Sequence, residues 1–163
     1  MFYGRAADLD PAECSCLGML GTVSIALGDT ESARQASRRL VERAEKIVAI
    51  APDNCNIISW LVAGLGVLGE HERAREWIDR ALILDPDDFN MRYNFACSLA
   101  RQVSEREAAL DLLEVSFKVV SESSLSWVKI DPDLDPLRDN PRFKQILADA
   151  EARLAQQPKD ASP

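Results

Sequence analysis

The chain holds a single histidine, His71, so it can supply at most one imidazole to a nucleophile pair or a metal. Its four cysteines, at 14, 16, 55 and 97, include no CxxC pair, and Cys14-x-Cys16 has no second pair to complete a zinc site. Disulfide frameworks belong to short secreted chains. The thiols are expected to be reduced and mostly buried as small apolar groups, which points to the cytoplasm. Bases are also in deficit, 19 against 27 acids, for a formal charge of -8. Such a chain repels phosphate backbones and anionic bilayers, so neither nucleic acid nor a membrane is an expected partner. No apolar run reaches the roughly 20 residues of a spanning helix. The run from Cys16 to Leu27 follows Asp8, Asp10 and Glu13, where a secretion signal needs positive charge, and it reads as a buried helix. GLG at 64–66 lacks the spacing of a phosphate loop. Asp131, Asp133 and Asp135 alternate as at the start of a calcium loop. Pro136 and Arg142 stand where that loop needs glycine and glutamate, so these acids are expected to cap turns. Glu72, Glu76 and Asp79 with Arg73, Arg75 and Arg80 read as a solvated helix face, and His71 beside them is expected to be exposed. No catalytic residue, cofactor or metal is predicted.

What the chain does have is a period. Pro11, Pro52 and Pro86 close similar short stretches, ADLDP, VAIAP and LILDP. The last two are 34 residues apart, and the first two 41, which is 34 + 7. Apolar positions recur at three and four, the helical spacing. Asp53 or Asn54, and Asp88, stand where helix caps are needed; Ser104 with Glu107 forms a capping box; Asn140 and Pro141 open a last helix with Phe143, Ile146, Leu147, Ala150 and Leu154 on one stripe. The seven extra residues add nearly two helical turns and keep the apolar stripe in phase. One long protruding helix over 30–50 follows, with Ala33, Ala36, Leu40, Ala44, Ile47 and Ile50 inward. Gly21, Ala33, Ala74, Ala81, Ala96 and Ala108 are expected where helices approach closest, since a larger side chain there overpacks the contact.

The segment CNIISWLVAGLGVLGEHERAREWIDRALILDPDD, 55–88, carries Ile58, Leu61, Leu65, Gly69, Ala74, Ile78, Ala81 and Pro86 in an order that resembles a tetratricopeptide repeat. Val62 departs from its usual small residue. The unit at 89–120 keeps Ala96, Leu99, Ala108, Leu112 and Val115, with Val103 and Val120 in place of the turn glycine and closing proline. The unit at 12–52 has Leu17, Leu20, Gly21, Gly28 and Ala33. The resemblance implies an all-α, right-handed α-solenoid of antiparallel helix pairs forming one domain over 1–156. Residues 124–156 then form a capping segment and helix, and 157–163 a disordered tail. Residues 1–11, with Phe2, Tyr3, Ala6 and Leu9, look like the last third of a helix whose partner is missing. Such an open end implies either the C-terminal piece of a longer protein or a homodimer closed through that end. The ending WVKIDPDLDPLRDNPRF, after ERAREWIDRALILDPDD and YNFACSLA, is also similar to the C-terminal repeat region of bacterial class III adenylate/guanylate cyclases. That likeness implies a regulatory or oligomerising part of a bacterial signalling enzyme, with no catalytic residue in this chain.

Tetratricopeptide proteins bind peptides or domains on a concave face lined by the first helix of each pair. Carried over by register, that face is Ser15, Gly18, Met19 and Thr22, then Asn56, Ser59, Trp60 and Ala63, then Asn90, Tyr93, Asn94, Cys97 and Arg101. Only Arg101 is basic. One exposed ion pair contributes about 0–1 kcal/mol, so acidic chaperone tails are not expected ligands. The asparagines suit a peptide backbone. For Trp60 and Tyr93 two readings stand: interface anchors, or packing within the superhelix.

Overall fold

The computed structural model describes residues 13–102 and 105–156. The partial helix expected at 1–11, the Ser104 half of the capping box and the tail at 157–163 lie outside them. Every regular element among the described residues is helical. The chain divides into two compact units, Met1–Pro86 and Asp87–Pro163.

The first unit contains α1 (Ser15–Ala26), α2 (Thr30–Val48), α3 (Cys55–Leu68) and α4 (His71–Leu84). Each packs on the next, and α1 also touches α3. Short turns make this possible. Gly28 and Gly69 take φ of 74° and 82°, a left-handed conformation that costs glycine little. Asp29 accepts the Ser32 N–H at 3.0 Å to open α2, and Asn54, the second of the two expected caps, accepts that of Ile57 at 3.2 Å to open α3. The long helix is present, but its buried stripe runs through Ala33, Ala36, Ser37, Leu40, Val41, Ala44 and Val48. Ile47 is only half-buried, and Ile50, expected inside, lies in the turn beyond the helix and is 87% exposed. The stripe follows 3.6 residues per turn and ends where the helix ends.

The second unit contains α5 (Phe89–Gln102), α6 (Arg106–Ser116), α7 (Glu122–Val128), a 3-10 turn (Pro132–Leu137) and α8 (Pro141–Ala155). Asp88 accepts from Met91 N at 3.0 Å, and Asn140 from Arg142 N at 2.8 Å, as the sequence predicts. Phe95, Leu110, Leu113, Leu134, Leu137 and Phe143 are fully buried. The register expected for α6 holds only in part. Ala109, Leu110, Leu112, Leu113 and Ser116 are buried, Leu112 as expected, while Ala108 is half-buried and Val115 exposed. The buried face is centred on Ala109, Leu113 and Ser116, and Val115 lies roughly 120° around the helix from it, in water.

Candidate functional site

Local sequence decides how α1 and α3 meet. A Cβ built on Gly18 would lie 2.3 Å from Cε3 of Trp60, so the indole rests directly on the α1 backbone. Any larger residue at 18 would drive the two helices apart. Gly21, expected at the tightest crossing, is not there: its Cβ would meet only Ser37 Oγ, at an ordinary 3.6 Å. Gly64 is closer to its neighbours, with a Cβ 3.0 Å from Cγ2 of Val41.

The residues expected to line a binding face divide sharply. In the first unit Met19, Thr22 and Asn56 are exposed, and Ser15, Trp60 and Ala63 are half-buried. Gly18 is covered by Trp60. Ser59 is buried, its hydroxyl donating to the Cys55 carbonyl at 3.0 Å. Trp60 packs on α1 and is half-buried. Val23 and Ala26, which the register did not select, join Met19 and Thr22 on one exposed stripe with spacings of three and four.

In the second unit Asn90 and Asn94 are exposed one turn apart, but Tyr93 between them is 8% exposed and belongs to the interior. Its ring stacks on Phe89, with centroids 5.8 Å apart and planes 11° from parallel. Its hydroxyl donates to Asp131 Oδ2 at 2.5 Å. Arg101 is paired with Asp133, so its charge is neutralised. Neither Tyr93 nor Arg101 is a free anchor. Both tie α5 to the 3-10 turn, which Asp131 also caps by accepting the Asp133 N–H at 2.9 Å. Asp135 bonds Arg138 at 2.7 Å, so the three alternating acids turn to three different partners. Asp131 caps the turn, as expected, while Asp133 and Asp135 pair with arginines.

Tyr93, Cys97 and Asp131 bring a phenol, a thiol and a carboxylate together, which invites a test for nucleophilic chemistry. Burial, followed by the negative charges of Asp131 and Asp133, pushes the Cys97 thiol far above its ordinary range. Burial and the neighbouring Cys97 and Asp131 push the Tyr93 phenol up as well. A nucleophilic cysteine needs its thiolate, and this environment opposes it. The cluster is a structural lock. Cys14 is likewise raised, chiefly by burial; none of the four cysteines is in a disulfide, and Cys16 and Cys55 are half-buried. His71 is half-buried instead of exposed, and its Nδ1 is closed from solvent without a partner among the described residues.

No group of three or more potential metal ligands gathers among the described residues, and none of their helices is long and apolar enough to cross a membrane. Comparison with protein-family models and with curated proteins finds no match. The class defined by the coordinates is an all-helical protein whose first unit is built from short-looped helix pairs.

Proposed function

We propose that the chain is a non-catalytic, tetratricopeptide-type binding module that takes a peptide or protein domain on the face of α1 and α3. The observation that carries this reading is a contrast of charge. Neither α1 (SCLGMLGTVSIA) nor α3 (CNIISWLVAGLGVL) has a charged side chain, whereas α2 and α4 are dense in both signs. A helix apolar all round belongs in an interior. Yet α1 leaves Met19 and Val23 each 38% exposed beside Thr22 and Ala26, with Asn56 exposed on neighbouring α3. An apolar helix or strand laid there completes the burial, and Asn56 offers hydrogen bonds to its backbone. The two hairpins of the first unit and the proline period support the repeat assignment.

Selection of random peptides against the full chain tests this. Apolar sequences should be enriched, and Met19→Lys should abolish their capture without lowering the melting temperature. Capture unaffected by Met19→Lys, but lost on changing α2 or α4 charges, would refute the proposal. A second copy of the chain is the alternative occupant of the stripe. It would appear as a dimer in sedimentation that Met19→Lys dissociates.

A further inference from the structure

We propose that the cavity between α6 and α8 in the second unit binds a small organic carboxylate with an apolar body. The cavity measures about 380 Å³, within the range of about 300–1,000 Å³ usual for small-molecule sites. Phe117, Ile146 and Ala150, all buried side chains, form its apolar lining. Its charged lining is three bases, Lys118, Arg142 and Arg153, against two acids, Glu114 and Asp149.

These charges are not equally engaged. Arg142 is fully occupied: it holds Glu114 at 2.6 Å, Asp111 at 2.7 Å and Glu107 at 3.3 Å. Asp149 sits one turn before Arg153 but turns to the Gln145 amide, at 2.7 Å. Arg153 is left with carbonyls alone, that of Phe117 at the C-terminal end of α6, at 3.5 Å, and that of Val120 in the turn that follows. Those contacts suit a cation at a helix end, but they leave the guanidinium without an anion. Its Nε–H is enclosed and has no acceptor. Lys118, exposed on the same lining, pairs with no carboxylate among the described residues. In a chain of net charge -8, two unpaired bases beside an apolar floor are a specific arrangement. A carboxylate set against Arg153 and Lys118 supplies the missing counter-charge, and its hydrocarbon part covers Phe117 and Ile146. This inference is independent of the repeat-module reading and concerns a different unit.

The test titrates the full chain with 3-phenylpropionate, and separately with 3-phenylpropionamide, while following backbone amide signals. The acid should give saturable shifts centred on Phe117, Ile146 and Ala150, and the uncharged amide should bind at least about tenfold more weakly. Lys118→Gln should weaken the acid severalfold at unchanged melting temperature, and Asp149→Asn should tighten it. Arg153→Gln should remove binding. If that variant loses its fold with the helix-end contacts, Lys118→Gln and the amide control still decide. Equal affinity for acid and amide, or no saturable shift at the cavity up to about 10 mM, would overturn the proposal.

Discussion

The two units solve the same problem, fixing one helix against a neighbouring segment, with opposite chemistry. In the first, Trp60 lies on the bare backbone of Gly18, and the contact is made by shape alone. In the second, Tyr93 bonds Asp131 and Arg101 pairs with Asp133, so a polar lock joins α5 to the 3-10 turn. The shape contact leaves α1 and α3 free of charge and keeps an apolar face available. The lock uses the side chains that the repeat register had assigned to a ligand. Of the positions assigned to one face by register, Met19, Thr22 and Asn56 are exposed in the first unit, whereas Tyr93 and Arg101 are engaged within the second.

Removing the lock should have the largest effect. Asp131→Ala leaves the Tyr93 hydroxyl buried without an acceptor and strips the cap of the 3-10 turn. Together these cost about 3 kcal/mol, read as a lower denaturation midpoint. An unchanged midpoint would show that the second unit does not depend on the polar contact. Next in size is a difference in thiol reactivity. At neutral pH Cys16 and Cys55 should be alkylated at least about tenfold faster than Cys97, which should react only on unfolding. Mass spectrometry of partially labelled chain reads the order, and early labelling of Cys97 would contradict the enclosed cluster.

Gly21→Ala sharpens the contrast within the first unit. There is room for the methyl group, so the better helix propensity should raise stability by about 0.5–1 kcal/mol, where Gly18→Ala lowers it. The smallest effect is a pH dependence. Burial raises the Asp133 carboxyl above its ordinary range, against the opposing pull of Arg101. Its folded pKa thus exceeds its unfolded one, and its ionisation works against folding at neutral pH. That penalty fades as pH falls through the raised pKa and is gone below the unfolded value. The stability of wild type relative to Asp133→Asn should therefore rise on acidification and then level off. A relative stability that falls on acidification would mean that the Arg101 contact dominates.

Much of the helical framework was legible in the sequence because its signals are local. Period three-and-four placed the helices; Gly28, Gly69, Asn54, Asp88 and Asn140 marked their ends; the seven-residue excess announced α2. Ile50 was misplaced because a stripe extrapolated by period ignores where the helix stops. Ala108 and Val115 were misplaced because the register was carried across a junction that lacks its glycine. The lock was hidden for a different reason. Tyr93 and Asp131 are 38 residues apart, and nothing in either neighbourhood names the other. Asp131 looked like a turn cap, which it is, and its second bond appears only once the chain is folded. The engaged state of Arg101 was hidden in the same way. Gly18 went unselected as a close contact because the repeat pattern drew attention to Gly21, three residues on. A glycine in mid-helix facing a tryptophan on the next first helix was the available signal.

Trp60 on Gly18 holds α1 and α3 side by side and gives the uncharged face its shape. A double-mutant cycle on the full chain, following unfolding of the first unit by denaturant, tests this directly. Gly18→Ala should cost about 1–3 kcal/mol with Trp60 present, and should become neutral or stabilising by up to about 1 kcal/mol once Trp60 is alanine. If the two substitutions simply add, the rings and backbone do not meet as described, and the proposed face loses its foundation.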